Sequence, residues 1–98
     1  MSRRRRFSGK PFGETLHELM ADTGITYRAL AAKTHLSAGY LHHIVNGNRP
    51  VPATNVIASI AKALGVEAEH FREYRIRYIT SQLEAKPELV DRLYKRLL

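Results

Sequence analysis

The segment from Ile25 to Pro52, which reads ITYRALAAKTHLSAGYLHHIVNGNRPVP, constrains the fold of this chain more than any other. It contains two short apolar stripes with helical spacing, and each follows a hydroxyl residue, Thr26 or Ser37. Such a hydroxyl can cap a helix, because its oxygen accepts a hydrogen bond from an otherwise unpartnered backbone N–H of the first turn. The apolar residues of the two stripes are Leu30, Ala31, Leu41 and Ile44. The segment therefore predicts two short helices joined by a tight turn, the second with a polar face directed outward.

Helical spacing of apolar residues continues on both sides of this segment, and no stretch alternates as a β-strand would. Phe12, Leu16 and Leu19 illustrate the spacing near the N-terminus. The predicted helices cover residues 12–23, 27–34, 38–46 and 54–64, followed by a helix that begins near residue 67 and a last one from Pro87 to about Leu97. The chain is therefore expected to be all-α, with a core of modest size for its 98 residues.

Charge is distributed unevenly along the chain, whose net charge is +7. Five cationic side chains form a basic arm near the N-terminus, namely Arg3, Arg4, Arg5, Arg6 and Lys10. No carboxylate occurs between Thr23 and Val66. Because a carboxylate repels phosphate, a surface that meets a polyanion is expected to avoid one. The distribution indicates a nucleic-acid partner, and we interpret residues 1–11 as a disordered arm that binds DNA or, alternatively, only increases solubility.

Several classes of function lack the residues that they require. The chain has no cysteine, so the sequence predicts neither a disulfide framework nor a thiolate metal site. No apolar run approaches the ~20 residues that span a bilayer, and no apolar signal segment follows the N-terminal arginines. We find no nucleophile–base pair, no phosphate-binding glycine loop and no metal-ligand spacing. We therefore expect a soluble cytoplasmic protein without enzymatic activity, cofactor, metal or membrane partner.

The motifs within residues 12–71 together resemble the helix-turn-helix of lambda-repressor/Cro-type regulators, the XRE family of bacteria and phages. The matching residues are Leu30, Ala31, Leu41, Ile44, Asn46, Gly47, Asn48, Arg49 and the run Ile60–Val66. The resemblance implies a lambda-repressor-like five-helix DNA-binding domain with an added C-terminal helix. It also implies a nucleoid-associated, sequence-specific transcriptional regulator, expected to be a repressor, that places residues 38–46 in the major groove of double-stranded DNA.

The same resemblance assigns contacts to individual residues. Base contacts fall on Ser37, Ala38, Gly39, His42 and His43. Phosphate contacts fall on Thr26, Tyr27, Arg28, Tyr40, Asn46, Asn48 and Arg49. Neither Ala38 nor Gly39 can make the bidentate hydrogen bonds that discriminate bases best, so we expect a modest direct code and more dependence on DNA shape. The alternative is a solvated helix surface for His42 and His43, and packing in the core for Tyr40.

The C-terminal residues carry more apolar side chains than one core can cover. One face of the predicted fifth helix carries Phe71, Tyr74 and Tyr78, and a second face carries Ile76, Ile79 and Leu83. The first face is expected to close the core of a DNA-binding domain over residues 12–74. Residues 75–98 would form an extension whose last helix either folds back over the second face or meets a second subunit. We favour a homodimer, because such regulators usually read paired half-sites, with an interface of Ile76, Ile79, Leu83, Leu93 and Leu97.

Two other functions are compatible with this fold. An antitoxin would use the C-terminal helices to bind a toxin, whereas an architectural nucleoid protein would bind DNA with little sequence preference. The limited base-reading set and the basic arm favour the architectural protein more than is usual for the family. Selection of bound sites from a random DNA pool distinguishes a regulator from an architectural protein.

Overall fold

The computed structural model describes residues 7–98 and folds them into six α-helices, with no strand among these residues. The helices are α1 (Phe12–Thr23), α2 (Tyr27–Thr34), α3 (Ala38–Val45), α4 (Thr54–Leu64), α5 (Arg72–Ala85) and α6 (Pro87–Leu97), with a 3-10 turn at Ala68–His70 before α5. The predicted all-α, five-helix domain with an added C-terminal helix is confirmed. Arg3, Arg4, Arg5 and Arg6 of the predicted arm lie outside the described residues.

The core lies between α1, α2, α3 and α4, and Phe71 closes it. Its buried apolar side chains are Phe12, Leu16, Leu19, Met20, Leu30, Leu41, Ile44, Ile57, Ile60, Ala61, Leu64 and Phe71. Burying one large aliphatic or aromatic side chain contributes ~1.5–3 kcal/mol relative to leaving it in water. Since every one of the four helices contributes such side chains, their mutual positions are fixed by burial, and with them the position of any surface that they share.

The predicted fifth helix does not start near Glu67. A 3-10 turn occupies Ala68–His70, and the backbone of Phe71 is extended, with φ −83° and ψ 129°, before α5 begins at Arg72. The extended residue allows the Phe71 ring to enter the core, where its centroid lies 4.6 Å from that of Phe12. Helical periodicity could not predict this break, because its cause is a contact with a residue 59 positions earlier in the chain.

Residues 7–11, which the sequence analysis assigns to a disordered arm, contact the folded body. The Ser8 N–H donates to the carbonyl oxygen of His70 at 2.9 Å, and the Ser8 and Thr15 hydroxyls are hydrogen-bonded at 2.6 Å. Lys10 forms an ion pair with Glu18 on α1. The expectation of disorder therefore does not hold for these five residues, because their polar groups find partners on the 3-10 turn and α1.

Most of α5 and all of α6 lie outside the core. Tyr74 packs against the core from the first turns of α5, but Tyr78 is 62% exposed, so its predicted core-facing position is wrong. Lys86 alone links α5 to α6, and α6 packs against α5 with Leu89 and Leu93 half-buried. Neither α5 nor α6 has a buried residue. The described chain is accordingly elongated, with principal extents of 46 × 32 × 20 Å.

Candidate nucleic-acid interface

Two hydroxyl caps set where α2 and α3 begin. Thr26 Oγ1 accepts a hydrogen bond from the Ala29 N–H at 3.1 Å, and Ser37 Oγ accepts one from the Tyr40 N–H at 3.0 Å. Both predicted caps are thereby confirmed. Each cap satisfies a backbone N–H that the first helical turn leaves unpaired, and each hydroxyl keeps its own proton to donate elsewhere.

The turn between α2 and α3 depends on a left-handed residue. His35 has φ 61° and ψ 27°, and it is the only non-glycine with positive φ among residues 7–98. Histidine is among the residue types that adopt this conformation with less penalty. Leu30 on α2 and Leu41 on α3 are fully buried on either side of the turn. Their burial fixes the second helix on the first and leaves the opposite face of α3 in solvent.

A close backbone contact positions the other end of α3. A Cβ atom added to Gly13 on α1 would lie 2.7 Å from the carbonyl oxygen of Ile44 and 3.0 Å from that of Val45. Only glycine allows the two backbones to approach this closely. The start of α1 therefore packs directly against the end of α3, which stops at Val45, one residue earlier than the sequence predicts.

The predicted base-contacting residues share the exposed side of α3. Ser37, Gly39, His42 and His43 are exposed, and Ala38 is half-buried. The two histidines lie in the second turn of the helix, which begins at Ala38. The arrangement is compatible with insertion of α3 into a major groove, where the side chains at the start of the helix meet base edges.

His42 also connects α3 to its neighbours. The ring of Tyr27, at the start of α2, meets the His42 ring edge-on with centroids 5.4 Å apart. The Asn46 amide nitrogen lies 3.0 Å from His42 Nε2, a distance at which the amide donates to an unprotonated ring nitrogen. His43 has no such restraint from α2, although the His42 and His43 rings lie 5.8 Å apart. Of the two histidines, His43 is therefore freer to turn toward a base.

The predicted phosphate-contacting residues flank this surface. Thr26, Arg28, Asn46, Asn48 and Arg49 are exposed, whereas Tyr27 and Tyr40 are half-buried and pack against the core. Gly47, with φ 77°, ends α3 and turns the chain, and the Asn48 N–H donates to the His43 carbonyl oxygen at 2.8 Å. The loop that carries Asn48 and Arg49 is thus folded onto the end of α3.

The structure also brings carboxylates to the edge of this surface, which the sequence analysis missed. Glu14, His17 and Glu18 on α1 line a groove of about 320 Å³ with Val45 and Asn46. The window without carboxylates in the sequence gives no hint of this, because α1 lies outside that window and meets α3 only in the fold. Glu14 would repel phosphate at this edge, whereas the charge of Glu18 is offset by its ion pair with Lys10.

Other kinds of site find little support in the described part of the chain. No three side chains among the histidines and carboxylates of residues 7–98 lie close enough together to hold a metal ion. No helix in the same range is long and apolar enough to cross a membrane. The exposed side of α3 and the loop that carries Arg49 form the candidate site in this part of the chain.

Comparison with known proteins agrees with this assignment. Residues 11–74 match the family described as a helix-turn-helix domain. The restriction-modification controller protein C.AhdI from Aeromonas hydrophila has a similar structure, with 30% identity, a TM-score of 0.57, and 60% of this chain and 84% of that chain covered. The clp gene regulator ClgR from Corynebacterium glutamicum is also similar, with 32% identity, a TM-score of 0.54 and 83% of each chain covered. No curated protein matches the chain in sequence.

The family match covers more than half of the chain, and it ends inside α5. The two solved neighbours are described as a controller and a gene regulator rather than as enzymes. These findings confirm the resemblance to lambda-repressor/Cro-type proteins that the sequence analysis describes. The chain therefore belongs to the helix-turn-helix family of DNA-binding regulators.

Proposed function

We propose that this protein regulates transcription as a homodimer that inserts α3 of each subunit into the major groove of one half-site. The observation that carries the proposal is the exposed side of α3, which is capped by Ser37, fixed by Leu41 and followed by a loop with Arg49. C.AhdI is described as a restriction-modification controller and ClgR as a gene regulator, which supports a regulatory role. Repression is the sign of regulation that we expect, and double-stranded DNA would hold the protein at the nucleoid in the cytoplasm.

The proposed dimer contact is an exposed apolar surface on the last two helices. We call it the C-terminal apolar surface, and its exposed members are Ile76, Ile79, Val90, Tyr94 and Leu97. Soluble monomers rarely expose so many large apolar side chains together, so a partner is expected to cover them. Leu83 and Leu93, which the sequence analysis also assigns to the interface, are half-buried between α5 and α6 and would line the base of this surface.

Charge on α6 favours a second copy of the chain as that partner. The first turn of the helix carries Glu88 and its last turn carries Lys95 and Arg96, while Asp91 and Arg92 are neighbours in its middle. When two copies of α6 pair antiparallel, as a two-fold axis across the helices requires, the acidic start of each lies beside the basic end of the other. Opposite helix dipoles also lie side by side in this arrangement. A second copy of the chain would therefore match both the apolar residues and the charges of this surface.

Site selection from a random DNA pool, combined with light scattering, tests the proposal. We expect a dimer in solution and an enriched motif with two-fold symmetry, its half-site centres about 10 base pairs apart or a multiple of that distance. A motif without symmetry, or a monomer at high micromolar concentration, would contradict the dimer. Binding without any enrichment would instead support a low-specificity architectural protein, which the small side chains at Ala38 and Gly39 also favour.

A pair of substitutions tests how DNA is read. His43→Ala is expected to change which bases are preferred, at a cost of ~1 kcal/mol for the preferred site, as for a single hydrogen bond. Arg49→Ala is expected to weaken binding to all sequences similarly and to lower the slope of log affinity against log salt by ~0.9. Binding of both variants to the selected site and to a scrambled site provides the measurement. An equal loss on both sites for His43→Ala would remove this residue from the base-reading set.

A further inference from the structure

Arg77 on α5 binds the loop that connects α3 to α4. Its Nη1 donates to the Pro52 carbonyl oxygen at 2.6 Å, and its Nη2 reaches the Val51 carbonyl oxygen at 3.4 Å. Arg77 is half-buried, and among the described residues the structure gives it no carboxylate partner. The guanidinium group is therefore engaged with main-chain oxygens of a single short segment, which it joins to a helix 25 residues further along the chain.

The segment that Arg77 binds has little backbone freedom, and it leads directly to the residues proposed to contact DNA. Pro50 and Pro52 each have a restricted φ angle, and Pro52 is buried. At the other end of the loop, the Asn48 N–H donates to the His43 carbonyl oxygen on α3. Arg49 lies between these two fixed points, so displacement of one point would shift the direction in which its side chain extends.

We propose that Arg77 is a positioning residue for DNA binding, which acts by holding the α3–α4 loop so that Asn48 and Arg49 meet phosphate groups. It would do so without contact between its own side chain and DNA, because both Nη atoms already donate to carbonyl oxygens of the loop. The proposal rests on the proposed function, since it assumes that α3 and this loop face DNA. It goes further in assigning a role to a residue of α5, beyond the end of the matched family region at residue 74.

Arg75 on the same helix provides a matched control. Its Nη1 donates to the carbonyl oxygens of Glu69 and His70 at 2.8 and 3.0 Å, and its Nη2 donates to that of Ser8 at 2.8 Å. Its guanidinium carbon lies 4.6 Å from the centroid of the Phe7 ring. Arg75 thus has the same charge, the same helix and the same type of hydrogen bond as Arg77, but it holds the N-terminal segment instead of the loop.

A double-mutant cycle tests the proposal. DNA affinity is measured for the wild type, Arg77→Ala, Arg49→Ala and the double variant, with a second cycle in which Arg75→Ala replaces Arg77→Ala. We expect Arg77→Ala to weaken binding about fivefold, as for loss of a hydrogen-bonded contact. We also expect Arg49→Ala to cost much less in the Arg77→Ala background than in the wild type. In the second cycle the effects of Arg75→Ala and Arg49→Ala should multiply.

Three further measurements distinguish positioning of the loop from a pure charge effect and from loss of the fold. Arg77→Lys keeps the positive charge but cannot reach both carbonyl oxygens in the same geometry, so it should remain clearly weaker than the wild type. Circular dichroism melting shows whether Arg77→Ala is folded, and the cycle is repeated with Arg77→Lys if it is not. Amide hydrogen exchange of Asn48, whose N–H is bonded to the His43 carbonyl oxygen, should be faster in either variant without DNA, because the loop has lost an anchor.

The outcomes separate this inference from the function on which it rests. Independent effects of Arg77 and Arg49 would overturn the positioning role, since Arg77 would then act on DNA by itself or not at all. Equal coupling of Arg75 to Arg49 would also overturn it, because the effect would belong to α5 in general. Full affinity of Arg77→Lys would show that charge alone matters and would overturn it as well. Failure of the wild-type protein to bind any DNA would contradict the proposed function itself.

Discussion

Two regions of this protein both carry apolar residues on their helices, but the surroundings of those residues are opposite. Each of α1, α2, α3 and α4 has side chains that are almost completely removed from solvent, whereas α5 and α6 have none. The apolar side of α6 is well formed, and yet Leu97 is 84% exposed. An amphipathic helix therefore indicates only that a partner surface is needed. For the first region the partner lies within the same chain, and for the second we propose that it lies in another copy.

The boundary between the regions is sharper than the helix pattern suggests. Phe71 is the last residue that is completely buried, and α5 begins directly after it. Beyond Tyr74, the inward contacts of α5 are hydrogen bonds from arginines to main-chain oxygens rather than apolar packing. The body is thus stabilised by burial, and the extension is held to it by a small number of directional contacts.

The largest expected effect separates the two regions by stability. Leu41→Ala should lower the free energy of unfolding by ~2–5 kcal/mol, because Leu41 is fully buried and truncation leaves a cavity. Leu97→Ala should have little effect in dilute solution, and a larger one as protein concentration rises and the dimer forms. Urea unfolding at several protein concentrations measures both. A large, concentration-independent cost for Leu97→Ala would show that α6 is already buried within one chain.

The next effect concerns association rather than folding. Ile79→Glu places an unpaired charge in the proposed dimer contact, so the variant should be monomeric by light scattering and retain its helical circular dichroism spectrum. Its affinity for a site with two half-sites should fall about a hundredfold, because the two half-sites are no longer bound by one linked molecule. Ser81→Glu, which lies exposed on the opposite side of α5 from Ile76 and Leu83, is the control and should remain dimeric. A dimeric Ile79→Glu variant would locate the interface elsewhere.

The smallest effect compares a helix start in each region. Thr26→Ala removes a side-chain cap from α2 and should lower the free energy of unfolding by ~1 kcal/mol. Lys86→Ala changes the residue before α6, which makes no side-chain cap hydrogen bond, and should have almost no effect. Thermal melting of both variants decides the comparison. Equal losses would mean that the start of α6 is more tightly held than its contacts indicate.

Much of the fold follows from local sequence signals. The bounds of α1, α2, α4 and α6 agree with those predicted, because caps, left-handed glycines and an early proline act within a few residues of each helix end. The break before α5 and the ordered residues 7–11 could not be predicted in this way. Both depend on contacts with distant parts of the chain, Phe71 with Phe12 and Ser8 with His70.

The candidate site also has features that follow from local sequence and features that depend on distant contacts. The exposed residues of α3 and its loop follow from the family motif, because the motif specifies a helix face. Arg77 carries no such signal, since its partners are carbonyl oxygens, which every residue possesses. The sequence also does not predict that Glu14 and Glu18 lie beside the site, because only the packing of α1 on α3 places these carboxylates near Asn46. Roles that depend on main-chain partners or on helix packing become visible only with coordinates.

The projecting α5 and α6 also change how this molecule should behave in transport measurements. The radius of gyration is 15.5 Å, whereas a compact domain of 100 residues has one of about 13 Å. Such a shape raises the friction coefficient, so a single chain should elute early from a size-exclusion column and diffuse more slowly than a sphere of its mass. Elution volume would then overstate the number of subunits. Sedimentation equilibrium, which depends on mass and not on shape, is the appropriate way to count them.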